Sequence, residues 1–119
     1  MQQKASTMEP AMMQRSTSRA ARIMDDILKR AREMETDPRL EERVEAQRCK
    51  ACFYVPRIGG AAMTQRPCMC CGKSETYGST STDELCLPCA QEGGLCKHCG
   101  GDLDMNRDRK NWPAPKVAA

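Results

Sequence analysis

The chain has 119 residues, 29% of them charged, a formal net charge of +3 and nine cysteines. Its 39% hydrophobic content counts nine Cys, nine Met and thirteen Ala, and leaves only sixteen Val, Ile, Leu, Phe, Tyr and Trp residues. That excludes stability from a large apolar core and calls for metal or disulfides instead; no apolar run is long enough to span a membrane.

In chain order, residues 1–16 are rich in Met, Gln, Ser and Thr without a period, and read as a flexible lead. The opening segment Met1–Thr7 lacks the apolar run of a secretory signal, so an intracellular, cytoplasmic location is expected. Residues 17–48 read as a helical arm. Ala20, Met24, Ile27, Ala31 and Met34 recur at spacings of four and three, flanked by Ile23 and Leu28, which predicts a helix over 18–35. Ser16, Thr17 and Ser18 offer N-caps, and Asp25/Lys29 and Asp26/Arg30 are acid-to-base pairs four apart. The stripe is expected to pack against the cysteine-rich segment, with a dimer through helix 18–35 as the alternative. Thr36-Asp37-Pro38 interrupts the pattern. Asp37 suits an N-cap and Pro38 a first turn, predicting a second helix over 38–48 with Leu40 and Val44 on one face.

Residues 49–104 hold eight of the nine cysteines as four Cys-x-x-Cys pairs: Cys49/Cys52, Cys68/Cys71, Cys86/Cys89 and Cys96/Cys99. Such a turn aims both sulfurs at one point, and four thiolates complete a tetrahedral zinc site. The expected cofactor is therefore two zinc ions, whose binding energy is also folding energy, on the order of 10 kcal/mol per site. Disulfides are the rival reading, but the odd count and the repeated two-residue spacing point to metal. Cys71-Gly72 and Cys99-Gly100 mark knuckles, because the position after the second cysteine often takes a left-handed backbone. Cys49/Cys52 looks like a knuckle opening a hairpin over 53–67, turned at Gly59-Gly60. Cys86-Leu87-Pro88-Cys89 looks like a helix start, stopped by Gly93-Gly94.

Three pairings are open. The preferred one is sequential: Cys49, Cys52, Cys68 and Cys71 on one ion, the remaining four on the other. A nested arrangement joins Cys68/Cys71 to Cys86/Cys89 and the outer pairs to each other; a cross-brace alternates them. Cys70 reads as a spare, partly exposed thiol, and His98, inside a knuckle, as pointing away from the metal. Residues 105–119 read as an extended basic tail with Pro113 and Pro115.

Eight thiolates and two zinc dications change the charge by four negative units, bringing the loaded chain from +3 to about −1. Residues 49–104 carry five Lys/Arg and six Asp/Glu, so the loaded segment is near −5, against +3 for the tail. Phosphate binding by the metal segment is not expected. Any nucleic-acid contact falls to Arg107, Arg109, Lys110, Trp112 and Lys116 in the tail.

The stretch Cys68-Met69-Cys70-Cys71-Gly72 … Leu85-Cys86-Leu87-Pro88-Cys89 resembles the treble-clef finger of the DksA/TraR family, which also places helices before its finger. The resemblance implies RNA polymerase as a partner. It covers about 22 residues with a shorter spacing than that family's, and the family has one finger where this chain has ligands for two ions. More broadly the array resembles double zinc-ribbon and other two-zinc modules, most of which mediate protein or nucleic-acid contacts.

The fold class expected is thus a small α+β zinc-stabilised module, zinc ribbon or treble clef with two four-cysteine sites, carrying an N-terminal helical arm. No catalysis is expected: filled four-cysteine sites keep no open position for water, and the one histidine sits in a knuckle. The expected function is an interaction adaptor with a protein partner. The alternative is a transcription-associated factor contacting RNA polymerase or nucleic acid. A thiol redox role through Cys86-Leu87-Pro88-Cys89 is the third reading.

Overall fold

The computed structural model describes residues 8–116. Helix α1 spans Pro10–Thr36, α2 Leu40–Glu45, α3 Lys50–Tyr54 and α4 Leu87–Gly93. Two strands, β1 over Thr64–Pro67 and β2 over Ser74–Tyr77, pair antiparallel with Thr64 opposite Tyr77 and Pro67 opposite Ser74. The result is a small α+β fold with an N-terminal helix, one two-stranded sheet and two clusters of cysteines. Among the described residues, no helix is long and apolar enough to cross a membrane.

Helix α1 begins eight residues before the expected Ser18, because Pro10 occupies the first helical position. There its missing N–H costs nothing and its fixed φ is already helical. Ser16, Thr17 and Ser18 are helix interior rather than caps, with the Thr17 hydroxyl donating back to the Met13 carbonyl at 2.8 Å. Residues 10–16 of the expected lead are therefore helical, while residues 1–7 lie outside the described residues.

The expected packing of the 20–34 stripe against the cysteine segment does not occur. No residue of α1 is buried, Met24 and Ile27 are more than half exposed, and α1 meets the rest through α3 at its C-terminal end. The joint there is polar. Asp37 closes α1 in a left-handed conformation, its N–H reaching the Glu33 carbonyl at 2.8 Å. Its carboxylate accepts from Arg43 Nη2 at 2.8 Å, from Nε at 3.1 Å and from the Tyr54 hydroxyl at 2.6 Å. Asp37 is thus the end of one helix and not the N-cap of the next. α2 is shorter than 38–48, and it buries Arg43 while Leu40 and Val44 stay exposed.

The hairpin expected over 53–67 is also displaced. Phe53 and Tyr54 belong to α3, and the strands flank the Cys68–Cys71 turn instead. Their β propensity loses to the geometry of Cys49 and Cys52, which one helical turn brings to the same side. Among the described residues the buried core forms two small clusters, Cys68, Cys86 and Cys89 with Leu85, Ala90 and Leu95, and separately Cys49, Cys52 and Cys96, with Tyr54 buried apart from both. Val55, Ile58 and Leu87, three of the sixteen large apolar residues, are exposed.

The tail does not extend away. Residues 105–116 form no helix or strand, yet they fold back along α4. Arg109 donates to the carbonyls of Gly93 at 2.5 Å and Gly94 at 3.2 Å, pairs with Asp102 at 3.1 Å and lies over the Trp112 ring at 5.0 Å. The Lys116 N–H donates to the Cys70 carbonyl at 2.8 Å, and its ammonium pairs with Glu92.

Candidate metal centre

All eight paired cysteines converge, as two quartets. Cys49, Cys52, Cys96 and Cys99 form one, and Cys68, Cys71, Cys86 and Cys89 the other, with the sulfurs of each within 4.8 Å of one another. This is the nested arrangement, so the preferred sequential pairing is corrected and the cross-brace is excluded. The reason lies in α4. It starts at Cys86/Cys89, and its residues beyond Cys89 carry the chain about 6 Å onward before Cys96 begins. Sulfurs sharing one ion must approach within about 4 Å, and the helix leads the chain away from that distance, so Cys86/Cys89 and Cys96/Cys99 fall in different quartets.

Each quartet is assembled from the same two parts. One is a knuckle: Cys68–Gly72 in the inner quartet and Cys96–Gly100 in the outer. Gly72 at φ 79° and Gly100 at φ 78° adopt the left-handed backbone expected of them, with N–H groups reaching the carbonyls of Cys68 and Cys96, both at 2.8 Å. Backbone N–H groups also point at sulfur, Cys70 to Cys68 Sγ and Gly101 to Cys99 Sγ, each at 3.4 Å. The other part is a helix start. Cys86 is the N-cap of α4 with Cys89 in its first turn, and Cys49 the N-cap of α3 with Cys52 in its first turn. Cys49/Cys52 was expected as a knuckle and is of the second kind.

The geometry fits a metal. Bonds of about 2.3 Å from zinc to four sulfurs set those sulfurs about 3.8 Å apart. Across the pairs, Cys49 and Cys99 lie 4.0 Å apart and Cys71 and Cys86 3.7 Å apart. The donor set is soft and four-fold, buried except at the half-buried Cys71 and the exposed Cys99, which suits zinc and leaves no place for water.

Electrostatics mark one anchor in each quartet. At Cys68, burial opposes the thiolate, but hydrogen bonds from the amides of Cys71, Cys86 and Cys70 outweigh it and bring the thiol down to about 6. Cys96 is lowered in the same way, burial being outweighed by the amides of Cys99 and Cys49. Cys52 is pushed up by burial and by its hydrogen bond with Cys49, and Cys89 by its bond with Cys86 and then by burial. Four clustered sulfurs cannot all ionise without a cation; the arrangement favours one that displaces the protons.

His98 points away from the outer quartet, as expected, its Nδ1 lying 2.9 Å from Asp83 Oδ1. Cys70 is partly exposed and belongs to neither quartet. Sequence reasoning missed the residues that join the quartets. Gln47, buried and in a left-handed conformation at φ 55°, donates through its amide to the carbonyls of Ala90 and Leu95, both at 3.2 Å. Its own carbonyl accepts the Lys97 N–H at 2.7 Å. Asp83 gathers His98, Lys97 at 3.3 Å and Arg48 at 3.9 Å. No local pattern signals either residue, since each works across more than ten positions of chain.

Comparison with protein-family profiles, curated proteins and solved structures finds no match to this chain, so the likeness to the DksA/TraR finger gains no support from them.

Proposed function

We propose that each quartet holds a structural zinc ion and that the chain is a non-catalytic adaptor, a metal-held platform carrying a long helix for contact with a protein partner. The observation that carries this reading is the pair of four-sulfur clusters at metal-binding distance. With all four ligand positions taken by protein, such sites stabilise structure rather than activate water. The tail argues for protein over nucleic acid. Arg109 and Lys116 are engaged by Asp102 and Glu92, which leaves Arg107 and Lys110 as the cations of the expected phosphate-binding set without an ion pair among the described residues.

A second reading, a transcription-associated factor of treble-clef type contacting RNA polymerase, is favoured by one observation. Cys68, Cys71, Cys86 and Cys89, which carry the likeness to the DksA/TraR finger, form a single quartet of knuckle plus helix start. Elemental analysis and cobalt substitution test the metal, with two ions and intense charge-transfer bands expected. Capture from native lysate tests the function. The adaptor reading expects a protein partner that survives nuclease and is lost on chelation. Recovery of RNA polymerase favours the second reading, and recovery that nuclease abolishes refutes the adaptor.

A further inference from the structure

The start of α1 at Pro10 lengthens the apolar stripe. Met13, Thr17, Ala20, Met24, Ile27, Ala31 and Met34 now follow one another at alternating spacings of four and three over 22 residues of continuous helix. That is three heptads, the pattern of a coiled-coil seam. Among the described residues nothing covers it from Met13 to Ala31, and only Met34 at its end is half-buried. Met24 is 56% exposed, Ile27 62%, Ile23 55% and Leu28 46%. The side of α1 turned toward the rest of the protein is a different one. Asp26, Lys29, Arg30 and Glu33 line the cleft shared with Phe53 and Tyr54, with Arg30 at the edge nearest the stripe. At 3.6 residues per turn, the middle of that side lies roughly 140° around the helix from the stripe.

We propose that the stripe is a homodimer seam, joining two copies of this chain through α1 in parallel and in register. It does not depend on which metal the quartets hold. The positions flanking the seam argue for the partner and its direction. In a parallel pair, a residue on one flank of one helix faces the residue five places later in the other. That sets Ile23 against Leu28, Arg30 against Glu35 and Ser16 against Ala21, twice each by symmetry. One contact is apolar, one joins opposite charges and none joins like charges. An antiparallel pair sets Arg30 against Ser16 or Ile23 and loses the ion pairs. A second copy therefore completes the helix with the helix's own residues.

The affinity is modest. The seam is about 33 Å long at 1.5 Å per residue, and Thr17, Ala20 and Ala31 within it are small. It falls toward the low end of the roughly 1,200–2,000 Å² that specific interfaces bury, so a reversible monomer–dimer equilibrium is expected. Two metal platforms then leave the seam at the same end, which raises avidity for a partner with two matching sites.

Sedimentation equilibrium of the full, metal-loaded chain from low micromolar to several hundred micromolar tests this. A monomer–dimer equilibrium is expected. Met24→Glu with Ile27→Glu should leave a monomer with its metal content unchanged, both residues being exposed in the single chain. Arg30→Glu should weaken association about tenfold, and Arg30→Glu combined with Glu35→Arg should restore it. A monomer throughout overturns the proposal, including one whose stripe binds an unrelated helix. So does a dimer indifferent to the Met24/Ile27 change, or a charge swap that fails to restore association. None of these outcomes bears on the metal content or on capture of a partner, so the adaptor reading stands or falls separately.

Discussion

Double Cys→Ser variants distinguish the three possible pairings by metal count alone. A four-thiolate site contributes on the order of 10 kcal/mol of folding free energy, comparable with the 5–15 kcal/mol that keeps a whole domain folded. Removing one thiolate opens the site, and removing a second from the same site adds little. Cys49→Ser with Cys96→Ser, 47 positions apart but in one quartet, should therefore cost little more than either alone and leave one ion bound. Cys49→Ser with Cys68→Ser strikes both quartets and should leave no ion and no folded platform. Cys49→Ser with Cys86→Ser should behave like the latter. Native mass spectrometry counts the ions, and cobalt charge-transfer intensity, halved or abolished, gives an independent reading. Cys70→Ser is the control and should keep both ions, since Cys70 lies in neither quartet. Sequential pairing demands the opposite pattern, with one ion surviving in Cys49/Cys68 and none in Cys49/Cys96. A cross-brace demands survival in Cys49/Cys86. Either result would refute the assignment of ligands and the account of α4 as the element that separates them.

Two further outcomes follow from the joints. Gln47→Leu removes both donors to the buried region around Ala90 and Leu95. It should lower stability in urea by about 1–3 kcal/mol, chiefly the cost of leaving the Leu95 carbonyl unpaired, since the Ala90 carbonyl keeps the Leu95 N–H, with the number of bound ions unchanged. Asp37→Asn should loosen α1 from the platform, read as faster proteolysis between residues 36 and 49 at unchanged metal content. The Asp37 carboxyl is held below its ordinary pKa by the hydrogen bond from Arg43 and then that from Tyr54. Its contribution is therefore complete above the unfolded value of about 3.9 and is lost as pH falls through the lower folded value. At neutral pH the wild-type chain should show no loosening.

The chemistry of the ligands was legible in the sequence, but their partnership was not. A Cys-x-x-Cys turn fixes where its own two sulfurs point, so all eight positions and the two left-handed glycines could be read from spacing. Which turn faces which depends on the chain between them, and there α4 decides, through its length rather than through any motif. Phe53-Tyr54-Val55 reads as strand by propensity, yet two cysteines separated by one helical turn impose α3 on it. The true sheet carried a signal that went unused: short polar arms, Thr64–Pro67 and Ser74–Tyr77, on either side of a Cys-x-x-Cys-Gly turn. For α1, the Ser- and Thr-rich stretch at 16–18 masked a stripe that Met13 and Pro10 already began. Its exposure could not be foreseen, since the pattern is the same whether the apolar face meets its own domain or another molecule. Buried polar links such as Gln47 leave no trace in local composition, because their partners come from distant segments.

Nesting also sets an order of events. Closing the inner quartet from an open chain spans the 14 residues between Cys71 and Cys86, whereas closing the outer one first spans the 43 between Cys52 and Cys96. The longer closure costs about 1 kcal/mol more in chain entropy. Once the inner ring is shut, the open length left to the outer is the fifteen residues before it and the six after it. That halving returns about 0.6 kcal/mol. Zinc should thus enter the inner quartet first and make the outer one easier to fill, so that in titration with limiting metal the singly loaded chains carry mainly the inner ion. The order in which the chain acquires its metal is written into the way one ring encloses the other.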